Sequence, residues 1–220
     1  MKKFLLKIIS IFLIIVSGFC GYYGYLGYQI YQDKIEERSL SERVDQLKSK
    51  EDYVTLNQIS PIYKEAVLES EDRRFYQHGP VDYYGLARAM FTNLTTFSFK
   101  EGGSTITQQL AKNLCLSFEK DLSRKFAEVF IAKDLEDHYS KDEILEMYLN
   151  ITYLGEGNYG IQAASQHYYH IDAIDLNKQQ SEVLVKTLKR PSIYNPSKIN
   201  LKTAIKLPFF LSNFHRCQTY

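Results

Sequence analysis

The longest feature in the polarity pattern lies at the N-terminus. No residue between Ile8 and Gln32 is charged, and Phe4 to Ile30 is mainly apolar, densely from Ile8 to Cys20 and then as Gly and Tyr from Gly21 to Tyr28. A membrane-crossing helix needs about 20 mainly apolar residues. The pattern therefore predicts one transmembrane anchor within residues 1–31, with the tyrosines as an interfacial belt. Lys2, Lys3 and Lys7 precede the run, which leaves the N-terminus in the cytoplasm and sends the rest of the chain across the membrane. A cleaved signal peptide shares the basic start and apolar core. Ser17-Gly18-Phe19 lacks the small-x-small cleavage pattern, so the anchor is expected to stay uncleaved. Phe19 before Cys20 is equally unsuited to a lipoprotein signal.

The pattern then inverts. Residues 32–52 hold twelve charges among twenty-one positions, with Ile35, Leu40, Val44 and Leu47 as the large aliphatics, and read as a solvated helical stalk. From Tyr53 to the end at 220 the apolar spacing is helical throughout, and no convincing alternating strand appears. Ser60-Pro61 reads as a cap followed by a first-turn proline, opening a helix through Ile62, Ala66, Val67 and Leu68. Thr105 with Gln108, and Ser140 with Glu143, have capping-box spacing. Further helices are expected over 121–138, 160–169 and 180–189, the last stopped by Pro191. The domain over 53–220 is therefore expected to be mainly α.

Composition narrows the function classes. Lys and Arg number 27 against 26 Asp and Glu, so a net charge of +1 argues against a protein that binds nucleic acid by neutralising phosphates. Apolar residues make up 45% of the chain, which argues against disorder. Three scattered cysteines, Cys20, Cys115 and Cys217, make neither a disulfide framework nor a metal knuckle. A mean hydropathy of −0.31 excludes a polytopic membrane protein but not a single anchor.

Four local features carry candidate chemistry. Glu71 follows Val67 and Leu68 by four and three residues, so it projects from the apolar side of its helix. A carboxylate so placed can act as a general base near neutral pH. The plainer alternative pairs it with Arg73 or Arg74, while His78 and Asp82 fix the following loop. Next, Gly102-Gly103-Ser104-Thr105 leads into a helix start with free N–H groups at the positive end of a dipole, a phosphate-holding arrangement. Gln108 and Lys112 add an amide and a cation one turn apart; the alternative is a structural turn and cap. Third, Lys120, Arg124, Lys125 and Glu128 bring cations and a carboxylate onto one helix, where an ordinary surface ion pair is the plainer reading. Last, Phe91, Leu94, Phe97 and Phe99 are either core or a surface that dips into lipid.

Taken in order, these residues resemble the motifs of the peptidoglycan glycosyltransferases, the family shared with the glycosyltransferase domain of class A penicillin-binding proteins. Glu71, Asp72, Arg74, Phe75 and His78 match the first motif, and Gly102 to Gln109 with Lys112 and Asn113 the second. Arg124, Lys125, Glu128, Leu135 and Glu136 match the third, and Lys141, Ile144, Leu145, Glu146, Tyr148, Leu149 and Asn150 the fourth. Gly160, Ile161, Ala163 and Ala164 look like the fifth, and Pro191, Ser192, Tyr194, Asn195 and Pro196 like a closing segment. The likeness covers roughly 60–196. With no transpeptidase domain following, the chain looks like the monofunctional type.

The resemblance implies a lysozyme-like helical domain that polymerises lipid II outside the cytoplasmic membrane. Glu71 matches the general base that deprotonates the acceptor's sugar 4-hydroxyl, which then displaces undecaprenyl pyrophosphate from the growing chain with inversion. Glu128 matches a second glutamate that assists near the leaving group or organises the cations around it. Ser104, Gln108, Gln109, Lys112, Lys120, Arg124 and Lys125 match residues lining the cleft and pyrophosphate site, where cations and N–H groups would stabilise developing charge. A divalent cation, Mg or Mn, beside the pyrophosphate is compatible with this chemistry, although no ligand cluster in the sequence requires one. Implied partners are lipid II, the growing glycan, membrane lipid and other cell-wall synthesis proteins. The chain departs from the pattern at Lys120, where arginine is usual and a bidentate fork is lost, at Pro80, where many members have glycine, and at Cys115. A lysozyme or lytic transglycosylase shares the fold and a catalytic Glu but needs no pyrophosphate site. A non-catalytic anchored scaffold is the third alternative, against which both glutamates speak.

Overall fold

The computed structural model describes residues 2–97, 102–116 and 121–198. Lys120, Phe99 and the tail residues Phe214, His215, Arg216 and Cys217 lie outside them. The first helix, α1 (Lys2–Glu37), runs unbroken through the apolar stretch and into the charged segment. Among the described residues it is the one helix long and apolar enough to cross a membrane, and its apolar part is not buried by the rest of the chain.

Residues 32–52 are not a free stalk. In α2 (Leu40–Lys48) the side chains of Leu40, Val44 and Leu47 are buried in the main core, leaving only the charged face solvated. Three aliphatics at spacings of four and three make one helical stripe, and burying that stripe is worth roughly 1.5–3 kcal/mol per side chain. Arg43 fastens the same segment by donating to the carbonyls of Lys34 at 2.9 Å and Leu114 at 3.4 Å.

The body is built around α5 (Ile106–Cys115), which lies between α6 (Leu122–His138) and α7 (Lys141–Ile151). Ile106, Leu110 and Ala111 of α5 are fully buried against Ile131 and Leu135 of α6 and Ile144, Leu145 and Tyr148 of α7. Outside this trio, α3 (Pro61–Glu71) packs on α9 (Lys178–Lys189), with α4 (Tyr83–Thr96) and α8 (Ile161–Tyr169) between them in sequence and a short α10 (Pro191–Tyr194) folding back on α9. No strand occurs among the described residues; one bridge joins Tyr153 to Tyr159.

Both capping boxes form. Thr105 and Gln108 cap α5 and Ser140 and Glu143 cap α7, each pair satisfying two backbone N–H groups reciprocally. Ser60 behaves differently: Pro61 takes the first helical position, but the Ser60 hydroxyl donates to the Leu176 carbonyl at 2.8 Å instead of capping α3.

Two residues of the fourth motif hold the frame. Glu146 accepts from the Tyr53 hydroxyl and the Leu56 N–H, both at 2.7 Å, and Asn150 exchanges bonds with both backbone groups of Val54. Gly160 (φ +88°) leads into α8, and a Cβ there would stand 2.6 Å from the Asn150 carbonyl oxygen, so both its dihedral and its neighbour demand glycine.

Candidate active site

Glu71 ends α3 at the mouth of a narrow cleft of about 40 Å³ that it shares with Arg73, Arg74, Gly102, Gly103 and Ser104. It pairs with neither arginine. Arg73 takes Glu69, one turn back in α3, and Arg74 takes Asp82 across the loop. Glu71 instead accepts from the Ser70 hydroxyl at 3.2 Å and from the Gln109 amide at 3.4 Å. The Gln109 carbonyl oxygen accepts from the Tyr148 hydroxyl at 3.2 Å, so a line of two bonds runs from α7 through α5 to the carboxylate. Burial, and after it the charge of Glu71, holds the Tyr148 phenol well above its ordinary pKa, so this hydroxyl stays a donor.

Asp72, the next residue, is buried and spans the cleft's floor. One oxygen accepts from the Ile106 N–H at the start of α5 at 3.0 Å; the other meets His78 Nε2 at 2.7 Å. This changes the reading of the glycine-rich start. The N-terminus of α5 is not an open phosphate cradle, because Asp72 holds the Ile106 N–H and the capping box holds those of Thr105 and Gln108. A negative group already sits on the helix dipole. Gln108 is likewise a capping residue: it is buried, and its carbonyl oxygen is committed to Thr105.

The cations come from side chains instead. Glu128 of α6 is 1% exposed, so its pair with Arg124 at 3.1 Å is buried and not the ordinary surface pair. Its second oxygen holds Lys125. The Lys125 ammonium also donates to the Ser104 hydroxyl at 2.8 Å, which joins α6 to the wall of the cleft containing Glu71. The ammonium of Lys112, half-buried on α5, forms no ion pair or hydrogen bond among the described residues. Burial lowers its pKa most; Glu128 opposes that shift, and the repulsion of Arg124 and Lys125 adds to it. Those three cations and Glu128 are thus within electrostatic reach of one another. Glu71, Glu128, Ser104, Gln109, Lys112, Arg124 and Lys125 are brought into one region, with Gln108 as its scaffold.

For a divalent ion, the grouping of suitable donors among the described residues is Asp72, His78 and Asp82, whose ligand atoms lie within 4.8 Å of one another. All are engaged internally, and Asp82 carries the Arg74 guanidinium. Burial works upward on Asp82, but Arg74 and the Gly85 N–H together bring its pKa below the ordinary value. Near the cations, the carboxylate present is Glu128, with both oxygens turned to Arg124 and Lys125. For Asp72, His78 and Asp82 to hold such an ion, their internal bonds would have to open. A larger cavity of about 630 Å³ lies beyond the Arg74–Asp82 pair, lined by His78, Tyr84, Lys133 and Asp137, and contains neither glutamate.

The family model described as Transglycosylase matches residues 37–208. The chain belongs to the transglycosylase family. It is 47% identical to penicillin-binding protein 1F of Bacillus subtilis (strain 168) over 143 residues, 65% of this chain and 20% of that protein. It is 39% identical to penicillin-binding protein 1A of Neisseria lactamica over 166 residues, 76% of this chain and 21% of that protein, and equally so to that of Neisseria gonorrhoeae. The chain thus spans about a fifth of the length of these curated relatives. The transglycosylase match covers the helical body and begins at the end of α1, so α2 falls within it, as its buried stripe requires. The mainly α, lysozyme-like fold and its candidate transmembrane helix agree with the sequence reading.

Proposed function

We propose that this chain is a membrane-anchored peptidoglycan glycosyltransferase that polymerises lipid II. The observation that carries the reading is a carboxylate without an ion pair among the described residues, Glu71, in a cleft whose lining leads through Ser104 and Lys125 to partly buried cations gathered on the buried Glu128. Those are the two parts a glycosyl transfer with an anionic leaving group requires.

Glu71 takes the proton of the acceptor sugar's 4-hydroxyl. That oxygen bonds to the anomeric carbon of the donor while the carbon–oxygen bond to pyrophosphate breaks on the opposite face, inverting the centre. The electron pair leaves on undecaprenyl pyrophosphate, and the proton on Glu71 passes to water. Lys112, Arg124 and Lys125 meet the developing charge; Lys112 has no carboxylate partner to give up, which makes it the cation best placed to do so. Glu128, with each oxygen held by a cation, acts as the organiser of Arg124 and Lys125 and not as a second base. Gln109 holds the Glu71 carboxylate in line.

The anchor reading places the catalytic body outside the cytoplasmic membrane, with Lys3 and Lys7 inside. The face of α4 supports contact with lipid: Met90, Phe91 and Leu94 are each more than half exposed, and Phe97 is 97% exposed at its end. The reading is tested by incubating detergent-solubilised full chain with labelled lipid II. Glycan that lengthens with wild type and not with Glu71→Gln is expected. Shortening of preformed glycan with no growth from lipid II would overturn it in favour of a cleaving enzyme.

A further inference from the structure

The membrane helix does not merely tether the body. Over its last turns α1 lies along α6, and Gly27, which is buried, lies in the seam between them. A Cβ added there would stand 2.5 Å from Phe126 Cβ, 2.8 Å from the Ser123 carbonyl oxygen and 2.9 Å from the Ala127 nitrogen. Two of those atoms are backbone and cannot rotate aside. Gly18 and Gly21, on the same helix, have nothing within 4 Å of theirs. Beyond Gly27 the seam continues, with the Tyr28 ring edge-on to Phe130 at 5.5 Å and the Tyr31 hydroxyl donating to Asp134 at 3.2 Å.

The residues under Gly27, namely Ser123, Phe126 and Ala127, alternate in sequence with Arg124, Lys125 and Glu128. They share the first two turns of α6, so whatever displaces one set displaces the other. Lys112 and Ser104 belong to α5 and its leading segment, whereas the three atoms nearest a Cβ at Gly27 all belong to α6. The depth at which α1 seats on α6 therefore sets the distance between the α6 cations and Lys112.

We propose that Gly27 is a positioning residue for the anion site: its missing side chain lets the membrane helix seat against α6 and hold Arg124, Lys125 and Glu128 in register with Lys112 and Ser104. This rests on the glycosyltransferase reading of that cluster. Ordinary contact begins at 3.4 Å, so a side chain at position 27 must part the helices by about 0.5–0.9 Å, more than the roughly 0.5 Å within which a reacting constellation has to be held.

The test uses the full chain in detergent as wild type, Gly27→Leu, Gly27→Ala and, as controls, Gly18→Leu and Gly21→Leu. Three readouts are taken: lipid II turnover, inhibition by inorganic pyrophosphate, and hydrogen exchange of the amides over 122–128. Gly27→Leu is expected to lower kcat and weaken pyrophosphate inhibition roughly 10- to 100-fold, and to speed exchange over 122–128. Gly27→Ala should fall between, and the controls should match wild type. A thermal midpoint within a few degrees of wild type in Gly27→Ala separates displacement of the site from loss of fold, and this variant carries the test if Gly27→Leu does not fold. Wild-type inhibition and exchange in both Gly27 variants would overturn the proposal. Absence of glycan synthesis by wild type would instead overturn the polymerase reading, while the exchange measurement still decides the seam.

Discussion

Replacement of Asp72 by alanine is the sharpest probe of how the site is assembled, because this buried side chain joins three elements without taking part in the chemistry. Its oxygens accept from the Ile106 N–H at 3.0 Å and face His78 Nε2 at 2.7 Å. Loss of a side-chain cap costs about 1 kcal/mol, and loss of a hydrogen bond to a charged group about 1.5–3 kcal/mol. Both partners would be left in a largely dry pocket, so the total is roughly 2.5–4 kcal/mol. In a chain of this size each kcal/mol moves the thermal midpoint by about 2–4 °C, so Asp72→Ala is expected to melt roughly 5–16 °C below wild type. Asp72→Asn, whose amide oxygen can keep the Ile106 bond, should lose about half as much. The assay is thermal unfolding in detergent followed by circular dichroism at 222 nm, with lipid II turnover measured well below the transition. Turnover should also fall in both variants, since the end of α3 that carries Glu71 is held to α5 through this carboxylate. A midpoint for Asp72→Ala within 2 °C of wild type would refute the bridging role.

Two further outcomes follow from the charges and the exposed faces. Lys112 has a pKa below its ordinary 10.5 because burial penalises its charged form; its protonated form is the one that attracts pyrophosphate, so kcat/KM for the lipid substrate should decline on an alkaline limb that begins below pH 10.5. Lys112→Arg should move that limb upward and Lys112→Ala should abolish it with little loss of thermal stability; a limb that persists in Lys112→Ala would assign it to another group. On α4, the triple change Met90→Ser, Phe91→Ser and Leu94→Ser should leave the thermal midpoint within a few degrees of wild type, because these side chains are more than half exposed, and should weaken adsorption of the protein to anionic lipid vesicles; unchanged adsorption would show that α1 alone meets the lipid.

The helices were readable because local signals and burial agree. Capping boxes at Thr105 and Ser140 mark the starts of α5 and α7, and the 3.6-residue spacing of Ile144, Leu145, Tyr148 and Leu149 marks a buried face. The misreading of residues 32–52 has a definite cause. Twelve charges in twenty-one residues outweigh four aliphatics in any average, yet Leu40, Val44 and Leu47 lie on one face, and a stripe rather than a mean decides whether a helix packs. What the pattern could not contain is the partner of that stripe, since Val44 meets its neighbours only once α5 and α7 are folded.

The site shows the same division between residue types and their pairings. That two glutamates, a lysine-arginine group and a glycine-rich turn belong together is visible from their order along the chain. Which carboxylate each cation holds is not, because pairing depends on distances across loops. Arg73, two residues beyond the end of α3, turned back to Glu69 and not to Glu71. Arg74 went to Asp82, eight residues on, after the loop turned back. Those two choices leave Glu71 without an ion pair among the described residues. Glu71 keeps two neutral donors, Ser70 and Gln109, in place of a guanidinium. That Glu71, the proposed base, faces neutral donors and not an arginine thus depends on Glu69 and Asp82. Exchange of either for a neutral residue should release an arginine toward Glu71 and lower turnover. For Asp82→Asn the measurable consequence is a fall in kcat that Arg74→Gln, made in the same chain, restores; no recovery in the double variant would mean that Asp82 acts on the site by some path other than occupying Arg74.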